Sequence, residues 1–452
     1  MFDLKEDKTF DLNQAANHLA AAIRFKTVSY PDSEMTDFTE YEKFLVFLTE
    51  TYPEVHRICK KEMVNTYSPI FIWEGSDKGK KPLLLIGHYD VVPAGSESSE
   101  EWQEPPFSGT IKDDYIWGRG AIDDKHQVIS IMEAVEYLIE SGFQPKRDIY
   151  IAFGFDEEVG GKMGAEKLAA LFKERHLEFE CVIDEGGCIT TDMMEGLDTS
   201  AALIGIAEKA WANFKITVTG QGGHSSIPPT NTAVGVLAQI IANIENHPMP
   251  ARLILPVKEM FRKMAPHMQS KRFVLKNIEP LFPIINSALG KNATTNAMIR
   301  TTTAVTMTGG GDAPNVLPQK AWAVVNARIL QGDTVDEVIA HIKKVNPGID
   351  FTIETLLGEN PSKISSLDAH AYKTIESIIA EMYPDVLVMP YLMVGGTDSR
   401  KYAEVCDNLY RFAAMVLPKE LYETIHSNNE RISTQNLFSM IEFYCKFITA
   451  MQ

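Results

Sequence analysis

The chain has 452 residues, more than a single hydrophobic core usually organises, so we predict two domains. Apolar residues make up 45% and charged residues 23%, as in an ordinary folded protein, and 61 acidic against 43 basic residues give a net charge of −18. This charge repels nucleic acid and anionic membrane surfaces, so we exclude both as partners.

The sequence offers no signal for export or membrane insertion. Residues 1–17 lack a basic segment followed by an apolar run, so we expect no signal peptide. The longest apolar runs, such as Leu83–Ile86, are too short to cross a bilayer. The five cysteines show no CxxC spacing and are expected to be buried thiols, so the predicted location is the cytoplasm.

Helices and strands alternate through the first part of the chain. A helix follows Asp11, a plausible cap, because apolar residues then recur at helical spacing. The next predicted elements are a strand at Pro82–Gly87, a helix at Asp123–Phe143, a strand at Ile149–Phe155, a helix at Met163–Arg175 and a strand at Cys181–Asp184. Such alternation implies crossover connections, so we predict an α/β fold with a mostly parallel sheet.

The pattern changes after about Ile206, where strands begin to alternate apolar and polar residues. The predicted strands are Asn213–Gly220, Met298–Met307, Trp322–Ile329 and Phe351–Leu357, and the predicted helices are Thr232–Ile244 and Val335–Val345. We therefore predict a small α+β domain at 207–358, inserted between two parts of the larger domain at 1–206 and 359–452. The α/β character returns with a helix at Tyr372–Met382 and a strand at Asp385–Pro390.

Side chains that can bind a metal ion follow successive predicted strands and turns. In chain order they are His88, Asp90, Asp123, Asp124, Asp156, Glu157, Glu158, Asp184, Glu185 and, near the C-terminus, His426. Each group alone is more often a cap, a turn or a solvated acidic patch. Together they fall where open α/β sheets place their sites, so we predict a metal centre. Imidazole and carboxylate ligands favour zinc, with cobalt or manganese as alternatives.

Two other kinds of site are disfavoured. The turn Trp117–Gly120 lacks the third glycine of a dinucleotide-binding loop, and the following aspartates would repel a pyrophosphate. A serine nucleophile would call for a GxSxG turn, which the sequence lacks, and Gly223–Ser226 lies within the predicted inserted domain.

An ordered series of motifs spans nearly the whole chain. It comprises His88–Pro93, Trp102 with Pro105–Gly109, Gly118–Lys125, Asp156–Glu158, Ile183–Gly187, Gly223–Ser226, Ile299–Thr303, Gly395–Arg400 and Ile425–His426. This series resembles the co-catalytic zinc peptidases that include aminoacylase-1, carboxypeptidase S, succinyl-diaminopimelate desuccinylases and glutamate carboxypeptidases. The resemblance is strongest to the branch of carboxypeptidase S and the N-fatty-acyl-amino-acid synthase/hydrolases. It implies a phosphorylase/hydrolase-like catalytic domain with an inserted ferredoxin-like lid and dimerisation domain.

The resemblance also implies roles for the residues at the strand ends. The implied cofactors are two Zn²⁺ per subunit. His88 and Glu185 would hold one ion, Glu158 and His426 would hold the other, and Asp123 would bridge both. Asp184 is an alternative to Glu185. Asp90 would orient His88, Glu157 would be the general base, and the Asp123–Asp124 peptide is expected to be cis.

The same resemblance assigns residues of the inserted domain and its surroundings to the substrate. His224 would stabilise the oxyanion, from the partner subunit in dimeric relatives, which makes a homodimer an expectation; the alternative is a surface histidine. Asn296 and Gly396 would lie near the substrate. Arg328 and Arg400 compete for the substrate carboxylate, which guanidinium groups grip bidentately, and either could instead form a surface ion pair.

One apolar stretch has two interpretations. Arg252–Leu289 is longer than a minimal lid requires and is rich in methionine and phenylalanine. It would either form an apolar wall for an acyl chain or pack within the lid or against a partner subunit.

These observations predict a metallopeptidase or amidohydrolase. Its substrate would be a small molecule with a free carboxylate, either an N-acyl amino acid or a short peptide cut at its C-terminal bond. A metal-bound hydroxide would attack the carbonyl carbon while Glu157 transfers the proton. The alternatives are a dipeptidase, for which we find no anchor for the ammonium group, and a zinc-dependent binding protein without turnover, which would not need Glu157.

Overall fold

The computed structural model of the protein describes Leu4 and residues 10–95, 100–194 and 196–452. The expectation about a signal peptide in residues 1–17 falls partly outside the described residues. All five cysteines are buried and free, as predicted. Within the described ranges, no helix is long and apolar enough to span a membrane.

The elements of the described chain are numbered in chain order. The helices are α1 (Leu12–Ile23), α2 (Phe38–Thr51), α3 (Pro53–Ile58), α4 (Lys125–Glu140), α5 (Ala165–Glu174), α6 (Ala233–Asn246), α7 (Leu255–Met264), α8 (Arg272–Lys276), α9 (Ile278–Leu289), α10 (Ala293–Ile299), α11 (Val335–Lys344), α12 (His370–Met382), α13 (Lys419–Tyr422) and α14 (Thr434–Ala450). The strands are β1 (Lys60–Val64), β2 (Ser68–Trp73), β3 (Leu83–His88), β4 (Thr110–Lys112), β5 (Tyr115–Trp117), β6 (Ile149–Gly154), β7 (Cys181–Asp184), β8 (Ile189–Thr190), β9 (Ala201–Glu208), β10 (Ala210–Thr219), β11 (Gly223–His224), β12 (Thr302–Gly309), β13 (Val316–Leu317), β14 (Lys320–Ile329), β15 (Thr352–Gly358), β16 (Leu387–Met393), β17 (Leu409–Arg411), β18 (Val416–Leu417) and β19 (Arg431–Ser433).

A ten-stranded mixed sheet forms the centre of the larger domain, in the order β1-β2-β6-β3-β7-β17-β9-β8-β18, with β16 beside β9. Its middle strands, β6, β3, β7 and β17, run parallel to one another. Every residue of β3, β6 and β7 is buried. Helices including α1, α4, α12 and α14 cover one face, and α5 covers the other. Burial on both faces explains why these strands are continuous apolar runs in the sequence.

A separate four-stranded antiparallel sheet has the order β12-β14-β10-β15. Its chain order, β10, α6, β12, β14, α11 and β15, is that of a ferredoxin-like β-α-β-β-α-β unit. Residues of β10 are alternately buried and half-buried, because apolar side chains of α6 and α11 pack against one face. The predicted α/β fold with an inserted α+β unit is therefore confirmed. The large sheet's β9 ends at Glu208, and β10 of the small sheet begins at Ala210.

The apolar stretch at 252–289 forms helices and packs against the large sheet. Met260, Phe261, Met264 and Met268 share a buried cluster with residues of β9 and β16. This packing accounts for four of the apolar side chains proposed as an acyl-chain wall. These side chains therefore pack against β9 and β16 of the large sheet, and not only within their own segment. The strand predicted at Met298–Met307 is partly wrong, because α10 continues to Ile299 and β12 begins at Thr302.

Candidate active site

The predicted ligands converge because three neighbouring parallel strands end at the same edge of the sheet. His88 is the last residue of β3, and Glu185 follows the last residue of β7. Glu157 and Glu158 lie in a short 3₁₀ turn, Glu157–Val159, just beyond β6. The other two contributions, Asp123 and His426, come from the loop before α4 and the segment after α13.

Asp123 lies between two groups of side chains. Its Oδ1 is 3.1 Å from Nε2 of His88, which in turn lies 3.3 Å from Oε1 of Glu185. Its Oδ2 is 3.0 Å from Nε2 of His426, which lies 3.1 Å from Oε2 of Glu158. One carboxylate therefore faces both groups, one oxygen to each.

The neighbouring aspartates have other partners. The peptide between Asp123 and Asp124 is cis, as expected. Asp124 is close enough to His88 and Glu185 to be a third candidate ligand, but its Oδ2 accepts the backbone N–H of His88 at 3.2 Å. Asp184 Oδ2 accepts the backbone N–H of Ser399 at 2.8 Å, so of these two adjacent carboxylates it is Glu185 that lies beside His88.

The electrostatics of the two groups favour a bound cation. Burial and the adjacent charge of Asp123 raise the pKa of Glu185 to about 8 and that of Glu158 to about 7. Hydrogen bonds that the His426 ring donates to Asp123 and Glu158 raise the pKa of His426 to about 10. Oε1 of Glu158 is buried and has no hydrogen-bond partner among the described residues. Hard oxygen and imidazole donors held together in this way fit a divalent ion in each group.

Asp90 binds the turn that carries Glu157 and Glu158. Its Oδ1 accepts the N–H of Glu157 at 3.1 Å and its Oδ2 accepts the N–H of Glu158 at 3.2 Å. Ser29, which the sequence did not single out, donates its hydroxyl to Oδ2 at 2.6 Å. The 3₁₀ turn supplies the local loop that adjacent glutamates need if they are to point in different directions. Burial raises the pKa of Glu157 well above its usual value, and Asp398 and Glu185 add to the shift.

The structure places the predicted substrate residues less uniformly. His224 is exposed in β11, and among the described residues its side chain forms hydrogen bonds to Ser226. Asn296 lines a cavity of about 190 Å³ with Arg300 and residues of the α6 end, away from the carboxylates described above. These two residues are therefore not brought to the metal-ligand groups in this chain.

Arg400 and Arg328 lie near each other. The charge of Arg400, added to burial, lowers the pKa of Arg328. Nε of Arg400 is 3.3 Å from Oε2 of Glu359, and Nη1 of Arg400 is buried with no hydrogen-bond partner in the part of the chain that the structure describes. A Cβ at Gly396 would lie 2.5 Å from Nη1 of Arg400, so a larger residue at this position would displace the guanidinium.

Comparison with known proteins adds a family to this geometry. The family model described as Peptidase family M20/M25/M40 matches residues 84–450. The chain belongs to this family. The predicted family is thus confirmed, and so are its class as a metallopeptidase or amidohydrolase and its action on amide or peptide bonds.

Individual relatives of this M20-family peptidase cover almost the whole chain. "Probable carboxypeptidase S-like 2" of Dictyostelium discoideum is 37% identical over 443 residues, which are 96% of this chain and 84% of the relative. "N-fatty-acyl-amino acid synthase/hydrolase PM20D1" of Mus musculus is 34% identical, over 95% of this chain and 86% of the relative. Carboxypeptidase S of Saccharomyces cerevisiae is 31% identical, over 96% and 84%.

Solved structures show the same fold at lower identity. The M20 family metallo-carboxypeptidase Sso-CP2 from Sulfolobus solfataricus has a TM-score of 0.67 at 20% identity, and the match covers 96% of this chain and 98% of that one. The Bacillus subtilis YXEP protein, described as a dinuclear metal binding peptidase from the M20 family, has a TM-score of 0.63 at 13% identity and covers 98% and 99%.

Proposed function

We propose that this chain hydrolyses the amide bond of N-acyl amino acids, or the C-terminal peptide bond of short peptides, with two zinc ions. The observation that carries the proposal is the position of Asp123, whose two oxygens face His88 and His426 separately. Because a carboxylate has two oxygens, a single one can bridge a pair of metal ions about 3.5–4 Å apart. The names of the similar relatives, carboxypeptidase S and N-fatty-acyl-amino acid synthase/hydrolase, support this substrate class.

The proposed ligands are those that face each other in the structure. His88 and Glu185 would hold one ion, Glu158 and His426 the other, and Asp123 would bridge them. We propose zinc before cobalt or manganese, because imidazole nitrogens and carboxylate oxygens together suit it best. A bound metal pair supplies a more acidic water and a Lewis acid for the substrate carbonyl.

The chain's own residues would carry the proton and fix the geometry. Glu157 would take a proton from the attacking water and give it to the leaving amine, because burial raises its pKa and so strengthens the carboxylate as a proton acceptor. Asp90 would hold His88 through Nδ1 and hold the turn of Glu157 through the backbone.

The substrate carboxylate would be bound by Arg400, with Arg328 facing it. Arg400 is favoured because its buried Nη1 has no hydrogen-bond partner within the described ranges, and a bidentate carboxylate would supply one. Arg328 comes from β14 of the small sheet and Arg400 from the large domain, so a carboxylate between them would also connect the two units. His224 would complete the site from a partner subunit in a homodimer, since within its own chain it is exposed and bonded to Ser226.

The experiment that tests this function measures release of free amino acid from a matched panel. The panel holds one amino acid with acetyl, long-chain acyl or glycyl on its nitrogen, and a carboxamide version of the best substrate. Cleavage that needs restored zinc and the free carboxylate is the expected result. A preference for the glycyl compound would instead favour the dipeptidase. Two bound metals with no turnover of any member would contradict the proposed substrate class.

A further inference from the structure

Glu430 joins the two loops that carry Asp123 and His426. It follows His426 in the same segment, where both His426 and Asn429 have positive φ angles, of 57° and 64°. Its side chain is fully buried. It reaches the loop before α4, some three hundred residues earlier in the chain.

One oxygen of Glu430 accepts three backbone N–H groups of that loop. Oε1 receives the N–H groups of Gly120 at 3.1 Å, Ile122 at 2.7 Å and Asp123 at 3.1 Å. Because buried polar groups must be satisfied, such a set of donors allows this backbone little freedom while the carboxylate is in place. The last of the three donors belongs to the residue that faces both histidines.

The other oxygen fixes the carboxylate itself. Nη1 of Arg119 donates to Oε2 of Glu430 at 2.6 Å, and the guanidinium lies 5.5 Å from the ring centre of Trp102. The backbone adds a further connection, since Gly118 N donates to the carbonyl oxygen of Glu430 at 2.9 Å. Both the side chain and the backbone of Glu430 therefore bind the same loop.

We infer that Glu430 is a positioning residue that fixes the Asp123 carboxylate relative to His426 and thereby sets the metal affinity of the Asp123–Glu158–His426 group. The inference rests on the proposed function, because it takes those three residues as ligands. Residues that orient metal ligands typically change metal affinity or activity about 10–100-fold when mutated.

The test is titration of the metal-free, full-length chain with Co²⁺. Binding is monitored by the visible absorption of the ion and by calorimetry. Glu430→Gln removes the charge that binds Arg119. It is expected to lower the affinity for one of the two Co²⁺ ions by about 10–100-fold. At limiting metal kcat should fall with KM unchanged, and it should recover as metal is added. The matched control is Glu133→Gln, which alters a buried carboxylate that accepts Tyr52 Oη at 2.8 Å and contacts His18 rather than the ligand loops.

The outcomes separate this inference from the proposed function. Two Co²⁺ ions bound to Glu430→Gln with unchanged affinity and absorption would overturn the inference. If that variant does not fold, Glu430→Asp replaces it, because the shorter side chain keeps the carboxylate but shifts the oxygen that accepts the three N–H groups. Wild-type Co²⁺ affinity in Glu430→Asp would again refute the role. His426→Ala tests the ligand set itself: if it too binds two ions with wild-type affinity, the proposed metal centre is wrong whatever Glu430 does.

Discussion

Nδ1 of His88 lies 3.2 Å from Oδ1 of Asp90 and 3.1 Å from the carbonyl oxygen of the same residue. The ring is therefore held with Nε2 directed at Asp123 and Glu185. Because Asp90 also binds the N–H groups of Glu157 and Glu158, one side chain orients a proposed ligand and the proposed base together.

Asp90→Asn should therefore lower kcat, by about 10–100-fold, with a smaller change in KM. The amide can accept only through one atom, so it cannot satisfy the donors that both carboxylate oxygens now accept. Steady-state kinetics on the best panel substrate, with metal content measured in parallel, checks this. The matched control is Ser29→Ala, which removes one donor to Asp90 and should have a smaller effect. Equal losses in the two variants would argue against the orienting role.

Substitutions of the adjacent residues Glu157 and Glu158 should have different effects, one on turnover and the other on metal binding. Glu157→Gln removes the proposed base and should lower kcat by about 10²–10⁴-fold while both metal ions stay bound. Glu158→Gln removes a carboxylate that lies 3.1 Å from His426, so this variant should lose metal first. Kinetics combined with metal analysis after dialysis separates the two. A Glu157→Gln enzyme with near wild-type kcat would eliminate Glu157 as the base.

Metal removal should weaken the fold as well as stop turnover. The ligands come from β3, from β7 and from loops distant in sequence, so an ion bound only by the folded state stabilises their arrangement. At a free zinc concentration 100 times the dissociation constant, each site should add about 2.7 kcal/mol to the free energy of unfolding. Urea unfolding with chelator and with graded zinc measures this. Midpoints that do not move with zinc would show that the ion contributes nothing to the folded state.

The exposure of His224 leads to a complementation test. If a partner subunit supplies this residue, a mixture of inactive His224→Ala and Glu157→Gln chains should recover about a quarter of wild-type activity after subunit exchange, since half of the dimers are mixed and each has one intact site. The measurement is activity against mixing ratio, with each variant alone as control. Normal kcat in His224→Ala itself would remove the histidine from the mechanism.

Much of the fold follows from the sequence because burial leaves a strong pattern. Strands β3, β6 and β7 have both faces covered, which makes them continuous apolar runs. Their order in a parallel sheet then brings His88, Glu157, Glu158 and Glu185 to one edge, so the candidate metal centre is predictable from strand ends. The positions that connect distant segments are not, because nothing local in the sequence relates Glu430 to Gly120.

One predicted strand is wrong for a local reason. Arg300 and three threonines follow the apolar end of α10, and threonine is common in strands, so the sequence predicts one strand across both elements. Asn296, a residue predicted to lie near the substrate, is in α10 beside Gly290 and Arg300. Its place depends on how α7 to α10 pack against β9 and β16, a tertiary arrangement that no local pattern encodes.

Lys209, between β9 and β10, gives a prediction about stability and pH. Its side chain is buried, and Nζ donates to the carbonyl oxygens of Ala297 at 3.0 Å and Arg300 at 2.9 Å. Burial, with the charge of Arg328, lowers the pKa of Lys209 to about 7. The folded chain therefore binds fewer protons than the unfolded chain between about pH 7 and the ordinary lysine pKa of about 10.4, so stability from this group rises with pH across that window.

Relative to Lys209→Met, the wild-type chain should gain up to about 1.4 kcal/mol of stability per pH unit between pH 7 and pH 10. Below pH 7 the difference should be constant, because the lysine is then protonated in both states. Urea midpoints of the chelated proteins at several pH values measure the difference, and chelation keeps metal release out of the comparison. Lys173→Met, at an exposed ion pair with Glu404, is the control and should follow the wild-type pH profile. If the Lys209→Met curve runs parallel to wild type from pH 7 to pH 10, the lysine is charged throughout, held by the carbonyl oxygens that it contacts.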